Sequence, residues 1–174
     1  MVCLLLAGML QGAPAPDVEP EDELKAAIVL NFLRFAEWPH PAPASPITVG
    51  VFGRISFARV LRRTLDGKSV NDRTLRVVEI KSTADAQGCD ALYFAGGRSS
   101  EVSQIIAAPV VAHALTIGES KDFLELGGTV NLLVIDGRMS FEVNLDALNR
   151  TGVNISSKLL RFGQIRGRRK GEPS

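Results

Sequence analysis

Cysteine is almost absent from this chain: Cys3 and Cys89 are the only two, and Cys3 lies in the short apolar run at the N-terminus. Once that run is removed on export, Cys89 stands alone and an intramolecular disulfide is excluded. Cys89 opens "CDALYFAG", a strand pattern, and reads as a buried inert thiol rather than a redox switch or an intermolecular bridge. Histidine is equally scarce. His40 sits in a Pro-rich stretch and His113 at a strand start, too far apart to give a metal-ligand pattern with the one remaining thiol. There is no G-x-S-x-G, so no nucleophile with an activating base can be assembled, and neither catalytic residue, metal nor cofactor is expected. "VGVFGRIS" places Gly50 and Gly53 at a strand-to-helix turn without forming G-x-G-x-x-G, and they read as tight-turn glycines rather than a phosphate cradle. Excess charge is missing too. With a net charge of +1, nucleic acid is not an expected partner, and the one basic cluster, Arg166, Arg168, Arg169 and Lys170, is set among glycines and followed by proline. The apolar run "VCLLLAGML" is too short to anchor the chain stably in a bilayer.

What is present is enough for one domain with a substantial core: 174 residues, 45% of them hydrophobic. Residues 1–15 have the shape of a signal peptide, ending in Ala13 and Ala15 at Ala-x-Ala spacing, and residues 16–21 form an acidic, Pro-rich linker. Residues 22–163 are expected to form a single α/β domain and 164–174 a basic flexible tail. From residue 47 strand-length apolar runs alternate with helical segments. The strands are "ITVGVFG", "TLRVVEI", "DALYFAG" and "HALTIG", the third apolar on both faces and therefore central. The helices are "SFARVLRRTLDG", with Ser56 as N-cap and Gly67 as stop, a turn opened by Ser82, "SSEVSQIIAA", and "SKDFLELGG". This alternation predicts an α/β fold with a single mixed, mainly parallel sheet flanked by helices.

The pattern then changes to a β-hairpin around Asp136-Gly137. A two-residue turn pairs Ile135 with Arg138, Val134 with Met139, Leu132 with Phe141 and Asn131 with Glu142. One face then carries Val130, Leu132, Val134, Met139, Phe141 and Val143, expected as core. The other carries Asn131, Ser140, Glu142 and Asn144, where a carboxylate opposite an amide can be mutually satisfied or kept for a ligand. Asn144 caps a helix stopped by Gly152, and Ser156 or Ser157 caps a second helical segment.

The first segment, "LKAAIVLNFLRFAEWP", reads as a helix ending in Trp-Pro. At 100° per residue Leu24, Ile28, Asn31, Phe32 and Phe35 share one arc, Ala26, Val29, Leu33 and Ala36 occupy another, and Lys25, Arg34 and Glu37 fill the plainly polar sectors. Such a helix is expected to pack on two sides, its own core and a second layer or partner. Asn31 then either bonds to a nearby backbone and ties the helix down, or contacts a partner directly, because an unpaired buried amide costs roughly 1–3 kcal/mol.

In order along the chain, "LKAAIVLNFLRFAEWP", "CDALYF", "ALTIGES", "GGTVNLLVIDGRMSFEVN" and "GVNISSKLLRF" resemble the YfiR-like family of exported bacterial proteins, over about residues 22–163. The resemblance implies a small, non-enzymatic, dimeric periplasmic regulator. Its best-studied members bind the periplasmic sensor region of an inner-membrane diguanylate cyclase and repress it, keeping cyclic-di-GMP signalling and biofilm formation low. Others accompany sensor kinases or outer-membrane receptors. Those best-studied members carry further cysteines able to form disulfides, so redox control does not carry over to a chain left with Cys89. Lys25, Asn31, Phe32, Phe35, Trp38 and Pro39 match the family's N-terminal motif. Phe141, Glu142, Asn144, Ile155, Ser156, Ser157, Leu159 and Leu160 match the C-terminal one. From these the resemblance implies a partner-binding set of Asn31, Arg34, Trp38, Glu142, Asn144, Ser156, Ser157 and Leu159, with Asn31 fixing the first helix to the C-terminal segment. The alternative is a periplasmic small-ligand sensor, or an accessory protein of a sensor kinase or transporter, with a metabolite at the strand carboxyl ends.

Overall fold

The computed structural model describes residues 19–39 and 45–167. The predicted signal peptide, His40 and the basic cluster beyond Gly167 lie outside the described residues. Helix α1 (Pro20–Phe35) starts inside the expected linker, with Pro20 at its first turn and three acids following. It ends at Phe35, before Trp38-Pro39, because the next residues form strand β1 (Ala36–Glu37), which pairs antiparallel with β9 (Asn154–Ile155).

Five strands, β2 (Ile47–Gly53), β4 (Arg73–Ile80), β5 (Ala91–Ala95), β6 (Leu115–Gly118) and β7 (Val130–Ile135), run parallel. Numbered along the chain, their spatial order is 2-1-3-4-5, a doubly wound arrangement. Short β3 (Ser69–Val70) lies antiparallel beyond β4, and β8 (Arg138–Asn144) lies antiparallel beyond β7. The α/β, mainly parallel reading therefore holds, and β5 is central with every residue buried, as expected from its two apolar faces. Helices α1 and α2 (Ile55–Leu65) cover one core cluster. The other, containing Leu92, Phe94, Ile105 and Phe123, is covered by α3 (Ser99–Ile106).

Several local expectations are corrected. α2 begins at Ile55 rather than after Ser56, because Arg54 is the last extended residue, its N–H donating to the Ala95 carbonyl and its guanidinium to Asp22. "SKDFLELGG" is a run of turns rather than a helix. Phe123 plunges into the second core, and Thr129, bonded to Thr116, pulls the chain straight into β7. Gln164–Arg166, placed at the head of the expected tail, form β10, parallel to β8. The hairpin register is as predicted, with Asp136 and Gly137 both at positive φ. Its distal half is not core, however: Val134 is 54% exposed, because the hairpin outruns β6, which meets β7 only at Val130 and Asn131.

Helix α4 (Leu145–Thr151) is capped by Asn144, whose Oδ1 accepts from the Ala147 N–H at 3.0 Å, and is stopped by left-handed Gly152. Ser156 is the cap of α5 (Ser157–Leu160), accepting from the Lys158 N–H at 3.3 Å. Cys89 is a buried free thiol just before β5, and burial pushes its pKa up to about 11.

Candidate functional site

The C-terminal half of α1 meets the C-terminal segment of the chain in three ways. The β1–β9 ladder joins Ala36 to Ile155, the Ser156 N–H donates to the Phe35 carbonyl at 2.9 Å, and the Phe32 and Phe141 rings meet edge to face at 5.0 Å. The two sequence motifs are thus brought together, but by Phe32 and main chain, not by Asn31. Asn31 is exposed and finds no hydrogen-bond partner among the described residues. The arc holding Leu24, Ile28, Asn31 and Phe35 faces outward, while Phe32 is rotated far enough round to be fully buried. The second packed side expected of α1 is therefore open: Leu24 is 48% and Phe35 40% exposed.

That open side forms one wall of a groove of about 490 Å³. Ile28, Asn31 and Phe35 face Met139, Ser140 and Phe141 of β8, with Lys158, Leu159, Arg161 and Phe162 closing the end. Phe162 is 67% exposed, the largest exposure of any large hydrophobic residue described. Its signal in the sequence was its position directly after "SSKLLR", among cations, where an aromatic has no core to serve. A second cleft, about 580 Å³, lies on the other flank of the α1 terminus and shares Phe35 and Lys158 with the first. It is lined by Arg34, Trp38, Arg73 and Ser156 among others. The Trp38 indole N–H donates to the Asp90 carbonyl at 2.9 Å, and buried Arg73 is held by Asp90 at 3.0 Å.

The expected partner-binding residues therefore divide. Asn31 and Leu159 line the groove, Arg34, Trp38 and Ser156 line the neighbouring cleft, and Ser157 is exposed at the first turn of α5. Glu142 and Asn144 alternate with Phe141 and Val143 and so point to the opposite face of the sheet. Glu142 accepts from Arg166 at 3.0 Å, while Asn131, directly opposite in register, is left with its Oδ1 buried and unpaired among the described residues. Of the two roles open to Glu142, the pair with Asn131 does not form, because β10 brings a full positive charge to the carboxylate. Asn144 uses both of its polar atoms structurally, capping α4 and donating to the Leu124 carbonyl at 3.3 Å.

A second polar cluster was missed in the sequence. Lys25, expected on a polar sector, is 8% exposed and ion-paired to Glu21 and Glu119, each at 2.7 Å. Asp22 takes a bidentate grip from Arg54 at 2.6 and 2.9 Å, and the Tyr93 hydroxyl donates to Glu119 at 3.0 Å. Burial pulls the Lys25 ammonium down, but its bonds and charge contacts with Glu119 and Glu21 outweigh this and leave it above the usual lysine value. Burial, reinforced by the Glu119 charge, raises Tyr93 strongly. The cluster sits at the carboxyl ends of β2, β5 and β6. Gly50 lies within β2 rather than at the turn after it, where a Cβ would strike Leu92 and Cys89; Gly53 does stand at the turn, where a Cβ would strike the Ala95 carbonyl.

Across residues 22–164 the sequence matches DUF4154, described as YfiR/HmsC-like. This chain belongs to the YfiR/HmsC-like family. The fold of this family member is similar to a crystal structure of a conserved domain protein from Vibrio cholerae O1 biovar El Tor strain N16961, at 14% identity and a TM-score of 0.54, covering 86% of this chain and 60% of that one. It is also similar to the ABC domain of a Streptococcus pneumoniae protein, solved in complex with L-Trp, at 11% identity and a TM-score of 0.50, covering 68% of this chain and 55% of that one. At such identities the likeness shows the α/β fold alone, and the chain spans less than two thirds of either solved chain. Among the described residues of this YfiR/HmsC-like chain, no helix is long and apolar enough to cross a membrane.

Proposed function

We propose that this YfiR/HmsC-like protein is a non-enzymatic, homodimeric regulator of the periplasm. It binds the periplasmic region of an inner-membrane diguanylate cyclase and holds the enzyme inactive, lowering cyclic-di-GMP output and biofilm formation. Family membership supports the class of function. The observation that carries the reading is the groove itself: both family motifs converge on it, and Phe35 and Phe162 stand in water at its rim. Exposed aromatics rimmed by cations are the composition of a protein-docking patch, where a few large side chains carry most of the affinity.

A small-ligand sensor using the strand carboxyl ends draws less support, since part of that region is filled by the Asp22–Arg54 and Lys25–Glu119 pairs, leaving a cleft of about 330 Å³ beside Gly53, Ile80 and Gly97. The test is capture from detergent-solubilised membranes of the native host, with Asn31→Ala, Glu142→Ala and Phe162→Ser variants alongside the unaltered chain. The expected result is that the unaltered chain retains a diguanylate cyclase, identified by mass spectrometry. Phe162→Ser should lose it while melting at the same temperature, Asn31→Ala should weaken it, and Glu142→Ala, on the other face, should retain it. Phe162→Ser retaining the cyclase in full, or unfolding, would remove the groove from the interface.

A further inference from the structure

Every helix and strand described buries at least one residue, except the last two. In α5 and β10 none is buried, nor is any residue from 157 to 167. The hydrogen bonds of α5 and the turn after it stay within the segment or reach back only to Ser156. The Leu159 and Leu160 N–H groups donate to the Ser156 carbonyl, Arg161 to Ser157, Phe162 to Leu159 and Gly163 to Leu160.

The ties to the rest of the fold are thin. Strand β10, three residues long, pairs with β8 alone at the edge of the sheet. The Asn144 N–H donates to Thr129, so the neighbouring Val143 turns the other way, and its carbonyl takes the Arg166 N–H. Half-exposed Arg166 reaches Glu142 at 3.0 Å and Glu125 at 3.8 Å, and Leu159, Leu160 and Ile165 pack only partly buried against the first core cluster. At Gly163 the chain passes so close over the Phe141 ring that a Cβ there would strike it. Upstream the chain is pinned, by buried Ile155 and by the Ser156 N–H on the Phe35 carbonyl. A segment fixed at one end and held by half-exposed contacts opens at a fraction of the free energy of global unfolding.

We infer that residues 157–166 form a detachable strap, which lifts from β8 as a unit while the rest of the fold stays intact, and whose closure builds the docking groove. Lys158, Leu159, Arg161 and Phe162, which close the end of the groove, all ride on it, so the open form has no complete groove to offer. The link to docking rests on the regulator reading, whereas the strap itself does not. A partner that binds only the closed form holds the strap down, and whatever lifts the strap releases the partner.

Hydrogen exchange of the unaltered chain at low urea concentrations reads the opening. A four-residue helix does not persist alone, so lifting exposes the Phe162 and Gly163 amides together with that of Arg166. These three should exchange about a hundredfold faster than the amides of central β5, and with little dependence on urea, because a local opening exposes little surface. Rates equal to those of β5, or the same urea dependence, would overturn the inference. Gly163→Val drives a side chain into the Phe141 ring and should strip the protection of Phe162 while leaving the β5 amides within threefold. It should also weaken cyclase capture tenfold or more. If it speeds exchange in β5 as well, a chain ended after Gly163, which removes β10, replaces it with the same expectations. Protection kept at Phe162 in the variant that leaves β5 intact would overturn the strap. Protection lost there with the cyclase held in full would overturn the link between closure and docking. No cyclase held by the unaltered chain removes the regulator and leaves the strap to be decided by exchange.

Discussion

Two regions of this molecule treat their side chains in opposite ways. At the carboxyl ends of the parallel strands, Asp22, Lys25, Arg54, Tyr93 and Glu119 are turned on one another until every charge is matched. Along the groove between α1, β8 and α5, Phe35 and Phe162 are left in water with cations at the rim. Doubly wound sheets ordinarily bind ligands at the first kind of place. Here α1 supplies Asp22 and Lys25 to meet Arg54 and Glu119, so the part of that end beneath it becomes an anchor, while a cleft of about 330 Å³ stays open beside Gly53, Ile80 and Gly97. The contrast teaches that the same helix can be fixed by one face and offered by the other.

The largest effect should come from breaking the anchored end. Glu119→Ala strips a shared acceptor from Lys25, Arg54 and Tyr93, and removing one partner of a buried pair is expected to cost about 3 kcal/mol in urea unfolding. The pH dependence sharpens the same point. Because the folded Lys25 is raised above 10.5, its contribution is complete below that pH and is lost as pH rises through the folded value. Unfolding curves of the unaltered chain should therefore lose stability above about pH 10.5, and Glu119→Ala should show a shallower loss there.

The open region should behave in reverse. Phe162→Ser is expected to change stability by less than about 0.5 kcal/mol and Phe35→Ser, at a residue only 40% exposed, by about 1–2 kcal/mol, while each weakens cyclase capture tenfold or more. If either costs as much stability as Glu119→Ala, the contrast between anchor and docking face fails. The smallest effect belongs to Arg166→Ala. The Arg166–Glu142 pair is half-exposed on the arginine side, so its loss should cost no more than about 1 kcal/mol and leave capture intact.

Much of this was legible without coordinates because it rests on local physics. The Asp136-Gly137 turn sets the hairpin register, Asn144 and Ser156 cap their helices, and the apolar run of β5 marks a central strand. The face of α1 was harder. Its helical wheel holds two apolar arcs, and periodicity cannot say which is covered; of the two roles open to Asn31, a bond to nearby backbone or contact with a partner, the first is not found among the described residues. Lys25 shows the converse error, since a charge on a wheel reads as solvated until distant carboxylates are known to meet it.

The sequence by itself determined the α/β class, the hairpin and its register, the buried thiol of Cys89 and the family, because each depends on residues near in the chain or on ordered motifs. Only the tertiary structure decided which arc of α1 stays open and that Glu142 answers to Arg166, and among the described residues it leaves the outer half of β8 without a partner strand beside the groove. Those outcomes depend on where chain segments of high sequence separation come to rest, and no local period or spacing encodes that.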